Sequence, residues 1–158
     1  MDSIRIFGYK SFKKLSVQLH PINLLIGANG AGKSNFLSLF EMLGNIYEKR
    51  LGAYVAQVGG VDKLLYQGRK VTDRIAVNLL IAKSEYDLAL LESDGKLIVE
   101  REVVGCYDDV CSLDLVRKNV ITEYQSESSL KDHKEEDLSN YISQIRKFHF
   151  HDTGRRSP

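Results

Sequence analysis

Eight consecutive residues narrow the choice of fold more than the rest of the chain does: Gly27-Ala28-Asn29-Gly30-Ala31-Gly32-Lys33-Ser34, a Gly, four residues, then Gly-Lys-Ser. Glycines let the backbone bend around a polyphosphate so that successive N–H groups point inward, and a following helix aims its positive N-terminal end at the same charge. Asn29, Gly30, Ala31, Gly32, Lys33 and Ser34 are therefore the candidate phosphate-binding residues. The Lys33 ammonium has the reach for β- and γ-phosphates, and the Ser34 hydroxyl is placed to ligate a Mg²⁺ bridging them. A glycine-rich turn with a merely exposed Lys33 would carry the same letters, so the flanking pattern decides between the two readings.

The flanks favour the phosphate loop. Before it, Ile22, Leu24, Leu25 and Ile26 form a short apolar run ending at Gly27, the pattern of a central strand buried on both faces. After it, Phe36, Phe40, Leu43 and Tyr47, with Leu37, Leu39 and Ile46 beside them, recur at helical spacing up to Lys49 and Arg50. Ahead of all this, Ile4 and Ile6, then Leu15, Val17 and Leu19, alternate as two half-buried strands. Residues 1–50 thus read as strands, phosphate loop and first helix.

Beyond residue 50 the pattern loosens, with Gly59-Gly60 and Gly68 bracketing a short helix at 61–66. Residues 74–104 alternate in three runs and predict an antiparallel meander, and Ser93-Asp94-Gly95 supplies a glycine for positive φ at one bend. Residues 105–125 fit strand or helix, and 126–137 read as an exposed polar loop. Leu138, Tyr141, Ile142 and Ile145 mark one helix face, and Phe148-His149-Phe150-His151 a returning strand, closing a unit over 138–153. The whole reads as one partial domain over residues 1–158.

Composition excludes several classes. With 43% hydrophobic and 27% charged residues the chain is neither disordered nor fibrous. Lys plus Arg total 22 against 21 acidic residues, so no overall field recommends DNA or an anionic membrane, although a local basic patch stays open. The apolar run ending at Ile26 falls far short of the ~20 residues of a membrane span, and charged Arg5 and Lys10 stand where a signal peptide would be apolar. A cytoplasmic location is expected, with Cys106 and Cys111 reduced.

The stretch Ile4-Arg5-Ile6-Phe7-Gly8-Tyr9-Lys10-Ser11-Phe12, then Leu15, Val17 and Leu19, then the segment from Pro21 through Ser34 to Asn35, resembles the opening of SMC/RecF-like ATPases of the ABC superclass. Gly59-Gly60 ahead of Leu64-Leu65, and the ending His149-Phe150-His151-Asp152-Thr153, resemble predicted AAA-type ATPases close to the RecF and OLD-nuclease branches. The resemblance implies an α/β P-loop NTPase of ABC-ATPase head type, N-terminal lobe only, with a mixed core sheet plus an antiparallel β-meander. It implies ATP and Mg²⁺ as ligands, and a role in DNA repair, genome maintenance or defence against mobile DNA. Lys10 and Ser11 match positions that approach the nucleotide in SMC-like heads; an ordinary solvated turn is the alternative. The resemblance also brings the 148–151 strand toward the γ-phosphate, which makes His151 or Asp152 a candidate sensor of Mg²⁺ or water. His149 and His151 with Asp152 have spacing that suits a metal, but no third ligand is identifiable, and a non-metal role is favoured.

Hydrolysis in such a site needs an Asp behind four apolar residues and a Glu that orients water. The nearest string, Leu88-Ala89-Leu90-Leu91-Glu92, is followed at once by Ser93-Asp94-Gly95 and reads as a hairpin end. A Ser-x-Gly-Gly signature is also missing, because Gly59-Gly60 lacks the preceding serine. The expectation is a lobe that binds ATP without efficient turnover and is completed by a C-terminal lobe or a second ATPase subunit. The competing reading is a truncated, non-hydrolysing nucleotide-binding or protein-interaction module.

Overall fold

In a computed structural model that describes residues 3–107, 115–133 and 136–144, alternation of apolar and polar residues builds a six-stranded, wholly antiparallel sheet. Its strands are β1 (Ser3–Tyr9), β2 (Phe12–Gln18), β3 (Arg74–Ile81), β4 (Ser84–Ser93), β5 (Lys96–Tyr107) and β6 (Leu115–Gln125), in the order β2-β1-β3-β4-β5-β6. Ile4 and Ile6 of β1, Ile75, Val77 and Leu79 of β3, and Tyr86, Leu88 and Leu90 of β4 all point to one face and are buried. Register follows from that alternation: Ile6 lies opposite Val77, and Val77 opposite Leu88.

Among the described residues, helices cover that face only. Helix α1 (Lys33–Tyr47) buries Leu39, Met42, Leu43 and Ile46, α2 (Leu51–Gln57) buries Leu51 and Tyr54, and α3 (Glu136–Ser143) contributes Leu138 and Ile142. Both Asp94 and Gly95 have positive φ, so the β4–β5 bend uses the two-residue turn that suits strand twist. A 3₁₀ turn at Val61–Lys63 stands where a longer helix is predicted, and α2 stands where no pattern announces it. Of the ambiguous 105–125 region, residues 105–107 end β5 and residues 115–125 form β6, while 108–114 lie outside the described residues.

Three expectations are corrected. The run Ile22, Leu24, Leu25, Ile26 is not a central strand: residues 19–28 lie outside the described sheet, and Ile22, Leu24 and Ile26 are 90%, 81% and 84% exposed. A doubly buried strand needs hydrogen-bonded neighbours along both edges, and among the described residues none pairs with this segment. The expected mixed core sheet is accordingly a purely antiparallel one here. Nor is 126–137 simply an exposed loop, because Ser128 and Leu130 are buried.

The reason is Glu102. This carboxylate is fully buried on the helix-covered face, where it accepts from Tyr86 Oη at 2.5 Å, Ser128 Oγ at 2.6 Å, Thr122 Oγ1 at 2.8 Å and the Ser129 N–H at 3.0 Å. A buried charge is tolerated only when its lone pairs are satisfied, and satisfying these draws the 126–132 segment down onto the sheet. From there Glu127 accepts the Leu51 and Gly52 N–H groups at 2.9 and 3.3 Å, capping α2. Lys49 pairs with Asp132, and Lys131 with Glu48 at 2.6 Å, on the outer surface of the same corner.

Candidate functional site

The phosphate loop leaves the sheet after β2 and returns as α1. Gly30 and Gly32 have φ of 84° and 93°, values that an L side chain adopts only with strain. At Gly32 a Cβ would also meet the Phe12 ring and Ser11 Oγ, each at 3.2 Å, so the β1–β2 turn sets how closely the loop lies. The loop closes on itself from the Ala31 N–H to the Ala28 carbonyl at 3.2 Å, and α1 starts with the Phe36 N–H on the Gly32 carbonyl at 2.9 Å. First-turn N–H groups ahead of Phe36 have no partner inside a helix, and they are the donors a phosphate takes.

Asn29, Gly30, Gly32, Lys33, Ser34 and Asn35 line a pocket of about 350 Å³ over this turn. Lys33 Nζ donates to the Gly27 and Ala28 carbonyls at 2.6 and 2.8 Å, so its ammonium is held over the loop. A ring of backbone dipoles, the Lys33 ammonium and the Ser34 hydroxyl suits a polyphosphate with its divalent cation, and no carboxylate lines the pocket among the described residues. Ser34 is the residue that would ligate Mg²⁺, whose chemistry would be to neutralise and bridge phosphate oxygens.

The two turn residues go to different places. Ser11 Oγ accepts from Asn35 Nδ2 at 3.0 Å at the rim of this pocket. Lys10, at φ 47°, donates from Nζ to Ser38 Oγ at 2.7 Å and lines the neighbouring cleft instead. Ser38 gives its own proton to the Asn35 carbonyl at 2.8 Å, so Tyr9 Oη, 2.9 Å away, is the donor to Ser38 Oγ. Tyr54 Oη reaches the Ser38 carbonyl at 3.3 Å. Burial raises the Tyr9 phenol well above its ordinary value and raises that of Tyr54 as well, so both stay neutral donors.

This knot of Tyr9, Lys10, Ser38 and Tyr54 ties β1, α1 and α2 together beneath the loop and was not legible as a site. Besides Lys10, the one available signal was Ser38, a small hydroxyl on the apolar side of α1. Glu92, the nearest match to a catalytic acid, accepts the Gly95 N–H at 2.8 Å and so serves the hairpin bend. His149, His151 and Asp152 lie outside the described residues. Among the described residues no cluster of three metal-ligating side chains occurs, and no helix is long and apolar enough to cross a membrane.

The glycine loop thus lies against the β1–β2 turn and opens α1, the position from which a phosphate-binding loop presents first-turn N–H groups. A family model, AAA_15, described as AAA ATPase domain, matches residues 1–151. The chain belongs to that family, an AAA-type P-loop ATPase. A search of curated proteins returns no match.

Proposed function

We propose that this chain is the ATP-binding lobe of an SMC/RecF-like ATPase of ABC-head type, working in DNA repair, genome maintenance or defence against mobile DNA. The observation that carries the nucleotide reading is the Lys33 ammonium held over a positive-φ glycine loop at the start of α1. Support for the SMC/RecF side comes from the Lys10-Ser11 turn, whose Ser11 reaches the rim of the phosphate pocket through Asn35.

Turnover by the isolated chain is slow in this reading. Phosphoryl transfer relies on placed charges and a positioned water, and the pocket lining offers a cation and hydroxyl but no acid among the described residues. The completing acid comes from a C-terminal lobe or a second ATPase subunit. Exposed Ile22, Leu24 and Ile26, next to the phosphate loop, supply an apolar docking surface for it.

Phosphate release measured on the chain alone, then with a completing ATPase segment added, tests this reading. Turnover that appears only on addition, and disappears with Lys33→Ala, is the expected result. Efficient hydrolysis by the chain alone overturns the dependence on a partner; binding without turnover under every pairing favours a non-hydrolysing interaction module.

A further inference from the structure

An antiparallel sheet with helices on one side ordinarily turns polar side chains to water on the other. Here the face turned away from α1 is apolar at its centre. Phe7 of β1 lies opposite Ala76 of β3, Ala76 opposite Ala89 of β4, and the neighbouring row brings Val103 of β5 opposite Asp87. Phe7 is 45% exposed, and Val120 of β6, paired with Val103, is 47% exposed. Side chains standing around the two alanines leave a trough of about 790 Å³, and no helix covers it among the described residues.

Cations border the trough. Lys14 of β2 stands opposite Phe7, and Arg101 stands opposite Ala89, so one row across the sheet runs Lys14, Phe7, Ala76, Ala89, Arg101. Arg5 lies two residues from Phe7 on β1, hence on the same face. Arg5 and Lys14 are exposed, with no hydrogen-bond or ion-pair partner among the described residues. Arg101 Nε is 3.7 Å from Glu123 Oε1, and both side chains are more than half exposed. The one carboxylate in the described lining, Asp87, accepts from Asn78 Nδ2 at 2.6 Å.

This chemistry specifies an occupant. An apolar floor calls for an apolar stripe, and bordering cations call for carboxylates on either side of it. An extended peptide lying on the face would find no free backbone partner, because the strands beneath it are already paired with one another, whereas a helix satisfies its own N–H and C=O groups. Lys14 and Arg101 stand four strand spacings apart, roughly 19 Å, which is about 13 residues of helix. A nucleic-acid strand fits less well: Phe7 is the one aromatic in the described lining, and Asp87, with Glu85 on the same face of β4, interrupts a track of phosphates. We propose that this open face docks an acidic amphipathic helix of a partner protein, its apolar stripe over Phe7, Ala76 and Ala89 and its carboxylates toward Arg5, Lys14 and Arg101. The site lies across the sheet from α1 and does not rest on nucleotide binding by Lys33.

The test selects from a phage-displayed library of helical peptides about 16 residues long on the wild-type chain. Recovered peptides are then titrated into wild type, into Phe7→Ala, and into a chain carrying Arg5→Ala, Lys14→Ala and Arg101→Ala, with thermal melts as the check on folding. They should carry Asp or Glu on both sides of an apolar stripe and weaken by about tenfold or more in each variant. The triple variant should still bind Mg-ATP as wild type does. A proline at the centre of the peptide should abolish binding. The proposal is overturned if no recovered peptide loses affinity for the folded triple variant, if the recovered peptides lack acids, or if the proline peptide binds equally well. Tighter binding of an oligothymidylate that depends on the same three cations would assign the face to single-stranded nucleic acid. A dimer seen by light scattering and dissolved by Arg5→Glu and Arg101→Glu would assign it to a second copy of the chain, and either result overturns the helix. Failure of wild type to bind ATP while these peptides bind would count against the loop reading and leave this one standing.

Discussion

Asn35 Nδ2 donates to Ser11 Oγ across 3.0 Å, joining the first turn of α1 to the β1–β2 turn at the rim of the phosphate pocket. The bond is exposed, so removing it with Ser11→Ala should cost at most about 1 kcal/mol of stability. Nucleotide affinity should respond more, falling roughly three- to tenfold, because the rim would no longer be held in register with Gly32. Thermal melts and ATP titration of the same variant separate the two effects.

Gly8 tests the fold away from the loop. Its φ is +72°, and a Cβ there would come 2.1 Å from the Arg74 carbonyl oxygen at the start of β3. Gly8→Ala should destabilise by at least about 2 kcal/mol, lowering Tm by about 5 °C or more. An unchanged melting temperature would mean that β1 and β3 do not approach as described.

The buried Glu102 site predicts a graded series. Ser128→Ala removes one donor at 2.6 Å and leaves the carboxylate with three others, which should cost about 1–3 kcal/mol. Glu102→Ala removes the acceptor of the Tyr86, Thr122 and Ser128 hydroxyls at once, leaving the Ser129 N–H only Thr122 Oγ1, and should prevent stable folding. Denaturant titration of Ser128→Ala, Thr122→Val and Glu102→Ala orders them.

Alkaline pH should unfold the chain. Tyr9, Tyr54 and Tyr86 all have phenols raised by burial, that of Tyr86 further by the Glu102 charge. In the unfolded chain they ionise near pH 10, whereas in the folded chain they keep their protons to higher pH. The folded state then binds more protons than the unfolded one, so their contribution is complete below about pH 10 and is lost as pH rises above it. Melts across that range should fall steeply for wild type and less steeply for Tyr9→Phe.

Sequence patterning made the site more legible than the architecture around it. Loop residues 27–34, the α1 stripe and the alternation of β3 to β5 are local signals, each set by backbone chemistry or periodicity within a few residues. The strand expected at Ile22–Ile26 shows the limit of such signals: an apolar run states that a segment wants burial, but not whether a neighbour is there to bury it. Lys10 was legible as a residue of interest but not in direction, because its partner Ser38 lies 28 positions away. Glu102 likewise reads as an ordinary acid in an alternating strand until Thr122 and Ser128 converge on it.

Calorimetric titration of Mg-ATP into the wild-type chain and into folded Lys33→Ala, side by side, tests the central claim most directly. Among the described residues Lys33 is the one side-chain cation lining the loop pocket, and losing a charged hydrogen bond to phosphate costs about 1.5–3 kcal/mol. Saturable binding by wild type, weakened by about tenfold or more in the variant, is the predicted result. Equal affinity for the two chains, or no binding by folded wild type, would contradict it.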